Sequence, residues 1–221
     1  MNQEWSQLNK SLQTYLKKEP TFDEGITALL NLRKQLIEVL RQFKTELNRE
    51  DFSAIPFINA DGYHSKTIAY SIWHVFRIED ITAHTLISQD SQVFFSGNYK
   101  ERIGSPIITT GNELVKKQIS DFSEKLDIDE LYSYAEETAE STNVILKNLS
   151  FADMKRKITE EDRERLKELN VVSGDERACW LIDYWCGKNV LGLIQMPLSR
   201  HWIMHVEASL RIKNKITAYT K

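Results

Sequence analysis

Residues that interrupt helices are scarce in this chain: 221 residues hold eight glycines and four prolines. So few turn formers exclude the turn-dense sandwiches and barrels of all-β proteins and favour long helices. The two cysteines, Cys179 and Cys186, exclude a disulfide framework. On a helix they would stack two turns apart, too far to bridge between rigid positions, so both are expected to be reduced and mostly buried. No apolar run approaches the roughly 20 residues needed to span a bilayer. The start Met1-Asn-Gln-Glu-Trp5 has neither the basic nor the apolar region of a secretion signal, so a cytoplasmic location is expected.

An excess of positive charge is also missing. Lysine and arginine total 29 against 32 aspartates and glutamates, a net charge of −3, with an isoelectric point near 6.0. Neither nucleic acid nor an anionic membrane is therefore expected as the main partner, which leaves a small-molecule substrate. No glycine-rich phosphate loop, Gly-x-Ser-x-Gly elbow or cysteine zinc cluster is found, and several enzyme classes lose support with them.

What the chain does contain is helical periodicity in ordinary globular proportions, 41% hydrophobic and 28% charged. A single domain over 1–221 is expected, with a bundle core over about 22–216. Residues 2–18 form a weak amphipathic segment able to dock on that core. Thr21 and Glu24 suggest a capping box, followed by the stripe Leu29, Leu32, Leu36, Leu40, Phe43 and Leu47, which predicts a helix over 22–48. Further helices are predicted over 66–88, 112–125, 129–149, 160–169 and 197–216, and one from Ser173 through Trp185. The stretch 88–111 reads as a long connection able to cover a pocket. The fold class is all-α, a four-helix bundle with short helices in the long connections.

Only five histidines occur, and two of them, His201 and His205, stand four residues apart in Leu198-Ser-Arg-His-Trp-Ile-Met-His-Val-Glu-Ala-Ser-Leu210. On a helix that spacing puts both imidazoles on one face, one turn apart, where they can chelate a divalent metal. His74 supplies a third ligand: Thr67, Tyr70, Ile78, Ile81 and Thr85 point within about 40° of it, so it follows the apolar stripe of its helix inward. Bundle metal sites are built from side chains on facing helices in this way. Trp202 follows His201, so this is not the His-Glu-x-x-His of a metalloprotease. Glu79, Asp80 and Glu207 lie about 120° or more from their helix's histidine direction and are expected to be exposed or to support a ligand, not to be ligands. Tyr70, on the face of His74, and Arg77 and Arg200, next to the histidine positions, are candidate substrate-binding residues.

These residues form a recognisable pattern. A histidine in the second bundle helix, in Ser71-Ile-Trp-His-Val-Phe-Arg-Ile-Glu79, with His201-Trp-Ile-Met-His205 in the last, resembles the DinB/YfiT-like family of metal-dependent enzymes. Tyr184-Trp-Cys-Gly-Lys-Asn-Val-Leu-Gly-Leu-Ile-Gln-Met-Pro-Leu-Ser-Arg-His-Trp-Ile-Met-His205 is similar to one subgroup, and the likeness spans about residues 22–216. The resemblance implies an up-down-down-up bundle, a three-histidine site for zinc or nickel, and a homodimer. It also implies chemistry of the kind found in relatives that are thiol-dependent S-transferases, using bacillithiol or mycothiol, or a thiol-dependent isomerase. The chain departs from the family after His205, where Val206-Glu-Ala-Ser-Leu210 replaces the usual continuation, and it is longer at the N-terminus, at about 89–127 and at about 150–175.

Two mechanisms follow from a three-histidine ion. It would lower the pKa of a low-molecular-weight thiol cosubstrate and deliver the thiolate to an electrophile, or generate hydroxide for hydrolysis. The absence of a carboxylate on the histidine faces disfavours hydrolysis. The rival from another class is a non-catalytic, stress-associated bundle that binds metal or ligand.

Overall fold

The structure of the protein, a computed structural model, describes residues 2–218. Met1 and residues 219–221 of the expected domain lie outside that range. Every regular element among the described residues is helical, apart from an isolated antiparallel bridge between Lys157 and Asn189. No helix among them is long and apolar enough to cross a membrane.

Helix α1 (Gln3–Tyr15) starts where Asn2 accepts the backbone N–H groups of Glu4 and Trp5, satisfying two of the orphan donors of a helix N-terminus. It docks Trp5 and Leu12 on α2 (Phe22–Glu46), whose leucine stripe is buried as the periodicity predicts. Gly25 permits this closeness: a Cβ there would fall 2.8 Å from Leu16 Cδ2. The expected capping box at Thr21 does not form, because the Thr21 hydroxyl donates to the Tyr15 carbonyl at 3.0 Å instead.

Helix α3 (Ile68–Asp80) begins at Thr67, whose Oγ1 accepts the N–H of Tyr70, and runs on as a π-helical segment, Ile81–Ser88. All thirteen residues of α3 are buried. The helix is therefore enclosed on every side instead of presenting a single stripe, so of the two places expected for Glu79 and Asp80, exposed or supporting a ligand, the exposed one is ruled out. Charge survives this burial only through pairing: Glu79 with Arg33 and Asp80 with Arg77.

The connection after α3 holds α4 (Val93–Ser96) and α5 (Tyr99–Ile103), and the helix expected over 112–125 is reduced to α6 (Lys117–Ser123). Helix α7 (Ile128–Asn148), capped by Asp127, and α8 (Glu160–Leu169), with a Thr159/Asp162 capping box, form where the sequence signals lie. The helix expected from Ser173 starts late, as α9 (Trp180–Cys186). Ser173 Oγ takes the Asp175 N–H and the Asp175 carboxylate takes the Arg177 N–H, so side chains hold a turn where the backbone would have entered a helix. Cys179 is exposed and Cys186 half-buried, against the expectation of mostly buried thiols, because α9 lies at the surface with only Leu181 and Trp185 fully buried.

Helix α10 (Val190–Gln195) leads through a π-helical turn, Met196–Arg200, into α11 (His201–Ala218). Among the long helices, α3 packs on both α7 and α11, and α2 packs on the same two. The two histidine-bearing helices are thus direct neighbours.

Candidate metal centre

His74 is seven residues into α3, and His201 and His205 occupy the first and second turns of α11. Packing of α3 on α11 brings one ligand nitrogen from each within 4.8 Å of the others. Ring centroids are 5.0 Å apart for His74 and His201, 4.8 Å for His74 and His205, and 4.6 Å for His201 and His205. All three side chains are buried. His64 and His84 lie elsewhere: His64 meets Arg211, and His84 sits between Asp90 and Ser141.

The protonation of the cluster follows from its surroundings. His74 Nδ1 is 2.7 Å from the Thr110 carbonyl, which can only accept, so Nδ1 carries the proton and Nε2 presents its lone pair. Burial lowers the His74 pKa to about 4, against the opposing pull of that hydrogen bond and with help from the charge of Lys66. Burial, reinforced by the neighbouring imidazoles, pushes His201 and His205 well below their ordinary value. Three neutral imidazoles are what a divalent ion requires of its ligands. An ion also fits on hydrogen-bonding grounds: Nδ1 of His201 and both ring nitrogens of His205 are buried without a partner, and an ion would take the lone pair of one nitrogen on each ring.

A run of backbone carbonyls fixes α3 from outside. Ile108 accepts from Arg77, Thr109 from Trp73 Nε1, Thr110 from His74 and Gly111 from the Tyr70 hydroxyl. Gly111 has φ +78°, and a Cβ on it would fall 3.0 Å from Tyr70 Cε2, so glycine is required at this close approach. The long connection expected to cover a pocket instead lies along α3 and orients its side chains.

The cluster opens into a cavity of about 510 Å³, to which His74, His201 and His205 all contribute. Its walls are mainly apolar and aromatic, with Trp180, Tyr184 and Trp185 on α9 and Tyr63 and Tyr70 beside the histidines. Tyr70 stacks on His74 at 5.5 Å and Tyr63 stands edge-on to His205 at 4.8 Å. Lys66 also lines the cavity, and burial holds its ammonium below the ordinary lysine range.

The other sequence-predicted residues are distributed unevenly. Tyr70 reaches the cavity. Arg77 does not: its guanidinium is buried among Asp80, Gln92, Tyr134 and the Ile108 carbonyl, a network that leaves no donor for a substrate. Arg200 is exposed; burial raises the pKa of the Tyr63 phenol, and the Arg200 charge opposes that rise only in part. Sequence reasoning missed Lys66, Tyr63 and the carbonyl run. The aromatic density of 180–185 was visible, whereas Lys66 carried no signal.

In comparisons with known proteins, the chain matches no protein-family model and no curated protein.

Proposed function

We propose that the protein is a divalent-metal-dependent enzyme of the DinB/YfiT-like kind, with His74, His201 and His205 as its ligands. The observation that carries this reading is the convergence of three neutral imidazoles, with unpartnered buried nitrogens, on one aromatic-walled cavity. Three protein ligands are fewer than a structural zinc site takes, and the cavity provides room for a reacting molecule beside them. Zinc or nickel suits an all-imidazole set.

Bound there, such an ion would supply Lewis acidity, lowering the pKa of a thiol or polarising an electrophile. The chain's own contribution is to hold the ligands neutral, restrict water and seat an apolar substrate against Trp180, Tyr184 and Trp185. No aspartate or glutamate among the described residues lines the cavity. A hydrolase would need such a base beside the attacking water. That difference favours thiol-dependent S-transferase-like chemistry with a low-molecular-weight thiol cosubstrate. The reading includes a cytoplasmic homodimer and an up-down-down-up order for α2, α3, α7 and α11, on the strength of the resemblance.

The test is elemental analysis of protein purified without a histidine tag, followed by thiol consumption with electrophiles in zinc- and nickel-loaded samples. Metal-dependent consumption that is lost in His201→Ala is expected. Protein that holds no metal and does not respond to added metal overturns the reading. Loaded protein inactive across a broad thiol panel retires the transfer chemistry alone and leaves a non-catalytic metal-binding bundle.

A further inference from the structure

Lys66 is the cation of the histidine cavity, and its charge is uncompensated. Its Nζ lies over the Tyr70 ring, 5.2 Å from the centroid, and among the described residues no carboxylate pairs with it. Among the described residues, no aspartate or glutamate lines the cavity. Glu113, whose charge reaches Tyr70, turns one oxygen to the Thr109 hydroxyl and leaves the other buried without a partner. The three imidazoles that share the cavity with Lys66 supply no anion. Arg200, close enough to Tyr63 for its charge to be felt there, adds positive charge.

Half-buried cations in proteins ordinarily find an anion, since losing water without a partner is costly. Here the protein supplies none. We propose that the partner is the substrate, an organic carboxylate whose anionic group is held by Lys66 while its apolar body lies against Trp180 and Trp185. One ammonium within the cavity, with no second cation among the described residues of its lining, suits a monoanion better than a phosphate dianion. Trp180 is positioned for the role: it is 48% exposed, yet its indole N–H is tied to the Arg177 carbonyl, so the ring stands as a fixed wall.

The assignment deepens the metal-centre reading and shares its cavity, and the two can fail separately. The test is tryptophan-fluorescence titration with 4-phenylbutyrate and its neutral amide, on protein as purified and after chelation, with metal content measured on each sample. The chelated sample is decisive, because a carboxylate could also ligate a metal. There the carboxylate is expected to bind about tenfold or more tighter than the amide, the usual strength of one charge-assisted hydrogen bond. Lys66→Gln should abolish that preference without weakening the amide, and Lys66→Arg should retain much of it. Equal affinities, a preference that survives in Lys66→Gln, or no binding of either probe at millimolar concentration overturns the assignment. A Lys66-dependent preference in protein that never takes up metal defeats the metal reading alone. Metal uptake without the preference defeats the carboxylate assignment alone.

Discussion

Arg33 and Glu79 form a bidentate ion pair, Nη1 to Oε2 and Nη2 to Oε1, both at 2.7 Å, with both side chains removed from solvent. The same guanidinium donates to the carbonyls of Leu198 and Ala139 and to Asn143 Oδ1, and lies 4.5 Å over the ring of Trp202. One side chain on α2 thereby touches α3, α7 and the turn that leads into α11. Glu79 is five residues beyond His74 and Leu198 three before His201. The pair thus ties together the two helices that carry the three clustered histidines. The π-helical turn before His201 frees carbonyls from the usual ladder, and Arg33 satisfies one of them.

Breaking that pair should be costly. Arg33→Met leaves Glu79 as an uncompensated buried charge and is expected to lose about 3–5 kcal/mol in urea unfolding. Arg33→Met combined with Glu79→Met should recover part of the loss, since an apolar pair needs no solvation. A single-variant loss below about 1 kcal/mol would show that the pair does not hold the helices together.

Metal should stabilise the fold through the three histidines together. Zinc or nickel at about a hundredfold above its dissociation constant is expected to add about 2.7 kcal/mol. His74→Ala, His201→Ala and His205→Ala should each remove that increment in thermal melts. Stabilisation that survives all three substitutions would place the metal elsewhere.

Gly111→Ala tests the carbonyl run. The left-handed backbone and the 3.0 Å approach to Tyr70 both penalise a methyl group, for an expected loss of about 1–2 kcal/mol. Because Thr110 holds His74, metal affinity should fall as well. Unchanged stability and affinity would mean that this segment does not orient the ligand helix.

Acid should destabilise the metal-free protein. An unfolded histidine takes its proton near 6.5, whereas His74 resists until about 4 and His201 and His205 well below their ordinary value. Between these limits the unfolded chain binds more protons, so stability is full above about pH 6.5 and falls on acidification toward 4. Each histidine contributes a slope of up to about 1.4 kcal/mol per pH unit. Replacing His205 with Phe should flatten the urea-midpoint profile in that window. A profile unchanged by the substitution would count against a neutral buried imidazole.

The histidine cluster shows which features the amino-acid order could reveal. A spacing of four within one helix guarantees that His201 and His205 share a face, because the 3.6-residue repeat is a local property. The inward direction of His74 followed from the same repeat, as did the helices α2, α7 and α8, whose caps and stripes are local too. Local rules also explain the errors. The apolar residues of 68–78 fall on every face of the helix, so looking for a single stripe there left solvent exposure open for Glu79 and Asp80 and offered Arg77 to a substrate. Their burial depends on partners distant in sequence: Arg33 for Glu79, and Tyr134 and the Ile108 carbonyl for Arg77.

By itself, then, the order of residues determined the helical class, most of the helix boundaries and the two-point chelate, all of which arise from interactions within a turn or two. His74 was legible too as an inward-facing third histidine; tertiary structure decided that it meets that chelate, that carbonyls 108–111 hold it, and that Lys66 and the aromatic residues of α9 enclose a cavity beside it. Those features depend on how α3 and α11 pack and on buried pairs that span the chain, and no short-range pattern encodes them.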